Sequence, residues 1–89
     1  MDFEWDPNKA RRNKAKHGVT FEEGAEVFGD QYSSTVADPD HSHDEERFLI
    51  FGRTRQGRYV VVAFTDRGDR IRLISARQMT RREREAYEQ

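Results

Sequence analysis

The stretch Arg58–Arg77, RYVVVAFTDRGDRIRLISAR, decides the fold. Tyr59–Thr65 is a run of β-branched and aromatic residues with apolar side chains on both parities. A strand of that kind is covered on both faces, so it belongs inside a sheet. Asp66-Arg67-Gly68-Asp69 reads as a turn, with Gly68 free to take a positive φ. The chain then returns through Arg70–Ala76. Strict alternation puts Ile71, Leu73 and Ser75 on one face and Arg70, Arg72 and Ile74 on the other, and it carries Arg77 with the first set. Arginines on an inner strand are unusual, and function is sought there.

Working outward, Arg47–Arg53 (RFLIFGR) reads as a strand and Thr54–Gly57 as a hairpin loop, so strands near 47–53, 58–66 and 69–77 form an antiparallel meander. After Met79, Thr80 and Glu83 make a T-x-x-E capping box that opens a short last helix. Its apolar residues are Ala86 and Tyr87, so it docks weakly or against a partner. Upstream, Asp38–Glu46 gathers carboxylates with His41 and His43. The spacing fits no established metal-ligand pattern and Pro39 interrupts it, whereas Ser42 and Glu45 form a capping box for one helical turn. The helical turn is the favoured reading; no metal and no cofactor are expected.

The first half reads as helical. Asp6-Pro7 is a helix start, and the helix runs to about His17, with Gly18 beyond its end. It carries Lys9, Arg11, Arg12, Lys14 and Lys16 and only Ala10 and Ala15 as apolar residues, so burial alone cannot hold it. Thr20 and Glu23 form a capping box, and a second helix follows to about Phe28. Phe21, Ala25 and Phe28 make its core stripe, with Glu22, Glu23 and Glu26 outward. Phe3-Glu4-Trp5 reads as an edge strand, and residues 31–37 as another short strand. The fold class is α+β: a small antiparallel sheet with two N-terminal helices and a short C-terminal helix.

Eighty-nine residues suit one domain, 1–89, with a modest core and no deep cavity. Hydrophobic content of 34% against 37% charged is lean for an independent fold, so a partner is expected to complete the surface. Without cysteine there are no disulfides and no thiolate metal site. No apolar run approaches a membrane span or signal peptide, so the expected location is cytoplasmic with no membrane partner. The net charge of −1 hides a polarised chain. Residues 18–46 hold nine acids and no Lys or Arg, whereas residues 47–84 hold eleven arginines and three acids. Solvated surface with internal ion pairs would account for one charge run. A basic block that includes sheet strands points instead to a polyanion.

A basic sheet suits a strand or loop of RNA better than duplex DNA, for which no recognition helix is evident. RNA cleavage can proceed without metal. A base takes the 2′-hydroxyl proton, cations stabilise the phosphorane and an acid protonates the leaving oxygen. Arginine matches phosphate with its planar fork. The candidates are Arg72 and Arg77 on or ending the last strand, and Lys16 and His17 closing the first helix. Arg53 and Arg67 stand at strand ends as RNA-binding residues. Each arginine has an ordinary alternative as a surface ion pair. A non-catalytic RNA-binding or protein-docking module is the rival reading, separated by an RNA cleavage assay.

Several motifs together resemble the BrnT toxin family. They are Phe3-x-Trp5-Asp6-x-x-Lys9, Asn13-x-x-Lys16-His17-Gly18-Val19-x-Phe21-x-Glu23 with Ala25, Glu45-Glu46-Arg47, Ile71-Arg72-x-Ile74-Ser75-Ala76-Arg77 and Glu83-Arg84-x-x-Tyr87. The resemblance covers nearly the whole chain in order. Gly24 departs from it where a better helix former is common, which bears on helix stability more than chemistry. The resemblance implies a RelE-like fold and a toxin that cleaves RNA and arrests growth. It also implies a BrnA-type ribbon-helix-helix antitoxin, a hetero-oligomer with it, and operator DNA bound only through that complex. Lys16, His17, Arg72 and Arg77 carry over at matched positions as the catalytic candidates.

Overall fold

The computed structural model describes residues 1–38, 40 and 45–89. Within it the chain forms β1 (Asp2–Glu4), α1 (Pro7–His17), α2 (Phe21–Ala25), a 3-10 turn (Glu26–Gly29), β2 (Ser34–Ala37), β3 (Phe48–Arg53), β4 (Tyr59–Asp66), β5 (Arg70–Gln78) and α3 (Arg81–Tyr87). The five strands make one sheet in the order β1-β5-β4-β3-β2. The expected meander is its centre, with β4 paired antiparallel to β3 and β5. The sheet is mixed rather than purely antiparallel, because β1 joins parallel to β5. The three C-terminal strands and three helices therefore stand as the sequence implied, with the sheet closed by residues from the N-terminal end.

Local chemistry sets the boundaries. The Asp6 side chain accepts from Asn8 N at 2.8 Å, Pro7 occupies the first turn and Gly18 ends α1 at φ 70°. Thr20 and Thr80 cap α2 and α3 through Glu23 N and Glu83 N, and at α3 the reciprocal bond from Thr80 N to Glu83 completes the capping box. The second helix is shorter than the periodicity implied: it tightens into a 3-10 turn at Glu26, and the following strand begins at Ser34 rather than 31. Glu23 is also not an outward side chain. It pairs with Arg58 at 3.2 Å and accepts from Thr54 Oγ1. His41, His43 and the Ser42 capping box lie outside the described residues.

The core lies between the helices and one face of the sheet: Val19, Phe21, Val27, Ile50, Val60, Val62, Phe64, Leu73 and Ala76. Val61, Ala63 and Thr65, on the other parity of β4, are buried as well. The central strand is thus covered on both faces, as its composition required. The second cover comes partly from α3, whose Tyr87 ring meets Tyr59 edge to face at 5.8 Å.

One expectation fails on β5. A bulge opposite Ala63/Phe64 pairs Phe64 with Leu73 and Ala63 with Ser75, leaving Ile74 as the extra residue. Beyond it the parity inverts. Ala76, opposite Val62, enters the core, while Ser75 and Arg77, opposite Ala63 and Val61, turn to the other face. Arg77 therefore shares a face with Arg72, not with Ile71 and Leu73.

Candidate functional site

The position of α1 comes from one buried side chain. Asn13 accepts from Ala76 N at 3.0 Å and donates to Ala76 O at 2.8 Å and Val19 O at 2.9 Å. β1 pairs only with Arg70–Arg72, so the outer edge of β5 at Ala76 is open, and Asn13 fills it as a strand would. The C-terminal end of α1 is then tied to the start of β4 by Arg58 Nη2, which donates to Gly18 O at 3.1 Å. Lys16 and His17 accordingly lie at the sheet end where β5 finishes and β4 begins. Lys16 is exposed and His17 half-buried.

Arg77 belongs to that same end, opposite Val61. It is not a free cation: Nη1 and Nη2 donate to the two oxygens of Glu83 at 2.7 and 3.0 Å. This two-pronged hydrogen bond from Arg77 holds the Glu83 carboxyl down at about 2, with Thr80 N helping, and Glu83 in turn raises the guanidinium. Arg53 ends β3 at this end too, in register with Tyr59. Its guanidinium lies 5.1 Å from the Tyr59 ring centre, and its N–H donates to Asp30 Oδ2 at 2.8 Å.

Arg72 and Arg67 are elsewhere. Arg72 faces Thr65, toward the β4–β5 turn, and donates to Glu4 at 2.9 Å; this contact, with Arg70 beside it, lowers the Glu4 carboxyl. Arg67 sits in the turn and pairs with Glu45 at 3.3 Å. The fold thus places Lys16, His17, Arg53 and Arg77 toward one end of the sheet, with Arg53 and Arg77 on the face away from the α1 side, and leaves Arg72 and Arg67 toward the other.

Sequence reasoning missed the cleft at the Arg53 end. It measures about 860 Å³ and is lined by Glu26, Asp30, Tyr32, Arg53, Arg55 and Tyr59, with the end of α3 closing one side. Asp30 joins its walls. It accepts from Tyr32 N, Arg53 N and the Tyr87 hydroxyl. Burial disfavours its charged form, but these three donors outweigh that and keep the carboxyl below its ordinary range, while burial and Asp30 push Tyr87 up to about 12. The available clue was Gly29-Asp30, read only as a helix stop. No group of His, Asp or Glu suited to a metal is present among the described residues, and no described helix is long and apolar enough to cross a membrane.

Comparisons with known proteins follow the same line. A family model described as the ribonuclease toxin BrnT of type II toxin–antitoxin systems matches residues 5–83. The crystal structure of the Brucella abortus ribonuclease toxin BrnT superposes with a TM-score of 0.66 over 91% of this chain and 99% of that one, at 24% identity. Among curated proteins nothing matches.

Proposed function

The chain belongs to the BrnT family of ribonuclease toxins of type II toxin–antitoxin systems, and on that premise we propose that it cleaves RNA without a metal ion at the sheet end that carries Lys16, His17 and Arg77. The observation that supports this reading is that the end of α1 with Lys16 and His17 and the strand ends with Arg77 and Arg53 lie toward one end of the sheet, the two arginines on the face away from the α1 side. Lys16 and His17 serve the proton transfers between the 2′-hydroxyl and the leaving oxygen. Arg77, held in a fixed plane by Glu83, stabilises the phosphorane. Arg53 binds the RNA backbone beside it. Arg72 and Arg67, each ion-paired and further along the sheet, steer more distant phosphates.

The test is purified protein with end-labelled RNA, with and without chelator. Cleavage that survives chelator and leaves 2′,3′-cyclic or 3′-phosphate ends is the expected result; activity lost in chelator and restored by one divalent ion overturns the metal-independent chemistry. Removing a preorganised cation costs roughly 10²–10³ in rate, so Arg77→Ala should fall by that factor while Arg77→Lys recovers part of it. If Arg77 only steadies α3, the alanine variant melts earlier and keeps its specific activity.

As a type II toxin the chain has a cognate antitoxin. The proposed partner is a BrnA-type ribbon-helix-helix protein that forms a hetero-oligomer with it, arrests its toxicity and carries the complex to operator DNA. Co-expression with the adjacent open reading frame should rescue growth and give a complex that shifts operator DNA, which the toxin alone does not.

A further inference from the structure

Most arginines at the sheet already pair with a carboxylate: Arg58 with Glu23, Arg67 with Glu45, Arg77 with Glu83, and Arg70 and Arg72 sharing Glu4. Arg53 and Arg55 form no ion pair among the described residues, and both line the cleft closed by α3. The main chain at each is held in place, and so is the Arg53 guanidinium. Arg53 is fixed by Asp30 through its N–H and by the Tyr59 ring under its guanidinium. Gly57, at φ 88°, leaves room for it: a Cβ there would stand 3.1 Å from Arg53 Nη2. Arg55 N donates to Glu26 Oε1 at 3.0 Å. Tyr32, which also lines the cleft, has its backbone N–H tied to Asp30 at 2.9 Å, yet its side chain is 73% exposed. It is the one large aromatic ring left open to solvent among the described residues.

Two guanidiniums without an ion-pair partner and an unstacked ring lining one cleft match the parts of one nucleotide: phosphate oxygens for the arginines and a base face for the tyrosine. The cleft volume is within the usual range for a small-ligand site. Three carboxylate side chains also line it; they keep their charge, but each is oriented by donors of the walls. Asp30 takes three donors, Glu88 takes the Tyr59 hydroxyl, and Glu26 takes Arg55 N. We propose that this cleft is a nucleotide subsite for unpaired RNA, with Arg53 and Arg55 on the phosphate and Tyr32 stacked on the base. The proposal rests on the ribonuclease reading for its ligand class. It adds Tyr32 and Arg55 as residues that hold the strand next to the cleaved bond.

The experiment is a binding titration that does not depend on turnover. The probe is a fluorescent 2′-O-methyl RNA hexamer, which cannot be cleaved through its 2′ position. Tyr32→Ala should weaken it roughly tenfold and Tyr32→Phe should bind like the parent chain, since stacking needs the ring and not the hydroxyl. Arg55→Ala should weaken binding and reduce the slope of log K against log salt by about one. Arg70→Ala, paired with Glu4 at the opposite end of the sheet, should stay within about twofold. Tyr32→Ala and Arg55→Ala that bind as tightly as the parent chain overturn the subsite, as does a parent chain that does not bind the hexamer. Cleavage assays on the same preparations separate the two readings. A parent chain that cuts labelled RNA with an unaltered cut pattern in Tyr32→Ala keeps the ribonuclease and removes the subsite. A parent chain that binds the hexamer through Tyr32 but cuts nothing keeps the subsite and removes the metal-free chemistry.

Discussion

Ala76 turns its N–H and C=O away from β4, and the carboxamide of Asn13 meets both. Asn13→Ala would leave two backbone groups and Val19 O without that partner in a buried place, at about 1–3 kcal/mol for each orphaned group. Asn13→Asp should fare no better, because an oxygen would replace the Nδ2 that donates to the two carbonyls. Chemical denaturation should give a midpoint well below the parent for both. Gly24 reverses the expectation from its helix propensity. A Cβ there would stand 3.2 Å from Ala76 Cβ and Val62 Cγ2, so the glycine lets α2 approach the sheet. Overpacking of about 1–3 kcal/mol should outweigh a propensity gain of about 1 kcal/mol, and Gly24→Ala should lower the melting temperature. Gly52→Ala should lower it further, since its Cβ would meet Val27 Cβ at 2.9 Å. The caps at Asp6, Thr20 and Thr80 were readable because each is decided by three or four neighbouring residues. Asn13 and Gly24 were not, because their partners lie on β4 and β5.

At the scale of elements, the bulge on β5 and the docking of α3 decide what the site contains. Alternation assigned Arg77 to the core side. A single extra residue, Ile74, reverses that, and no composition rule marks Ile74 as the odd one out. The same bulge puts Arg77 where α3 passes over the sheet. No residue of α3 is fully buried, so it is held by Arg77–Glu83, Tyr87–Asp30, Tyr59–Glu88 and the stacking of Arg84 on Tyr59. The weak docking expected from its two apolar residues was therefore legible, and its polar clasp was not. Glu83 has a folded pKa of about 2 against an ordinary 4.5, so its stabilisation is complete above pH 4.5 and is lost as pH falls toward 2. Both partners are partly exposed, and screening brings the contribution to about 1–2 kcal/mol. Tyrosine near-ultraviolet dichroism should change across that window before the core melts. Glu83→Gln should start from the changed signal at neutral pH and lose the transition.

For the whole molecule, the acidic and basic blocks seen along the chain become neighbours, joined through Glu23–Arg58 and Glu45–Arg67. These pairs, together with Glu4 on Arg70 and Arg72 and Glu83 on Arg77, are why a block with eleven arginines presents few unpaired cations on the sheet. Which cations stay free depends on distances between strands, which linear order does not carry. With about four phosphate contacts, RNA affinity should fall on the order of 50-fold between about 50 and 200 mM salt, read by fluorescence anisotropy. A flat response would mean that contacts other than phosphate dominate. The strand order holds a further consequence, for time rather than space. β1 lies parallel to β5, and Glu4 meets Arg72 across 68 residues of sequence. A nascent chain that has emerged only through β4 has its first strand waiting for a neighbour not yet made, and it lacks Arg77 altogether. The sheet closes late, by joining distant segments, so refolding should take on the order of milliseconds to seconds rather than microseconds. On the proposed chemistry, a growing chain should leave the RNA being read to make it uncut until the last strand, and Arg77 with it, has been synthesised.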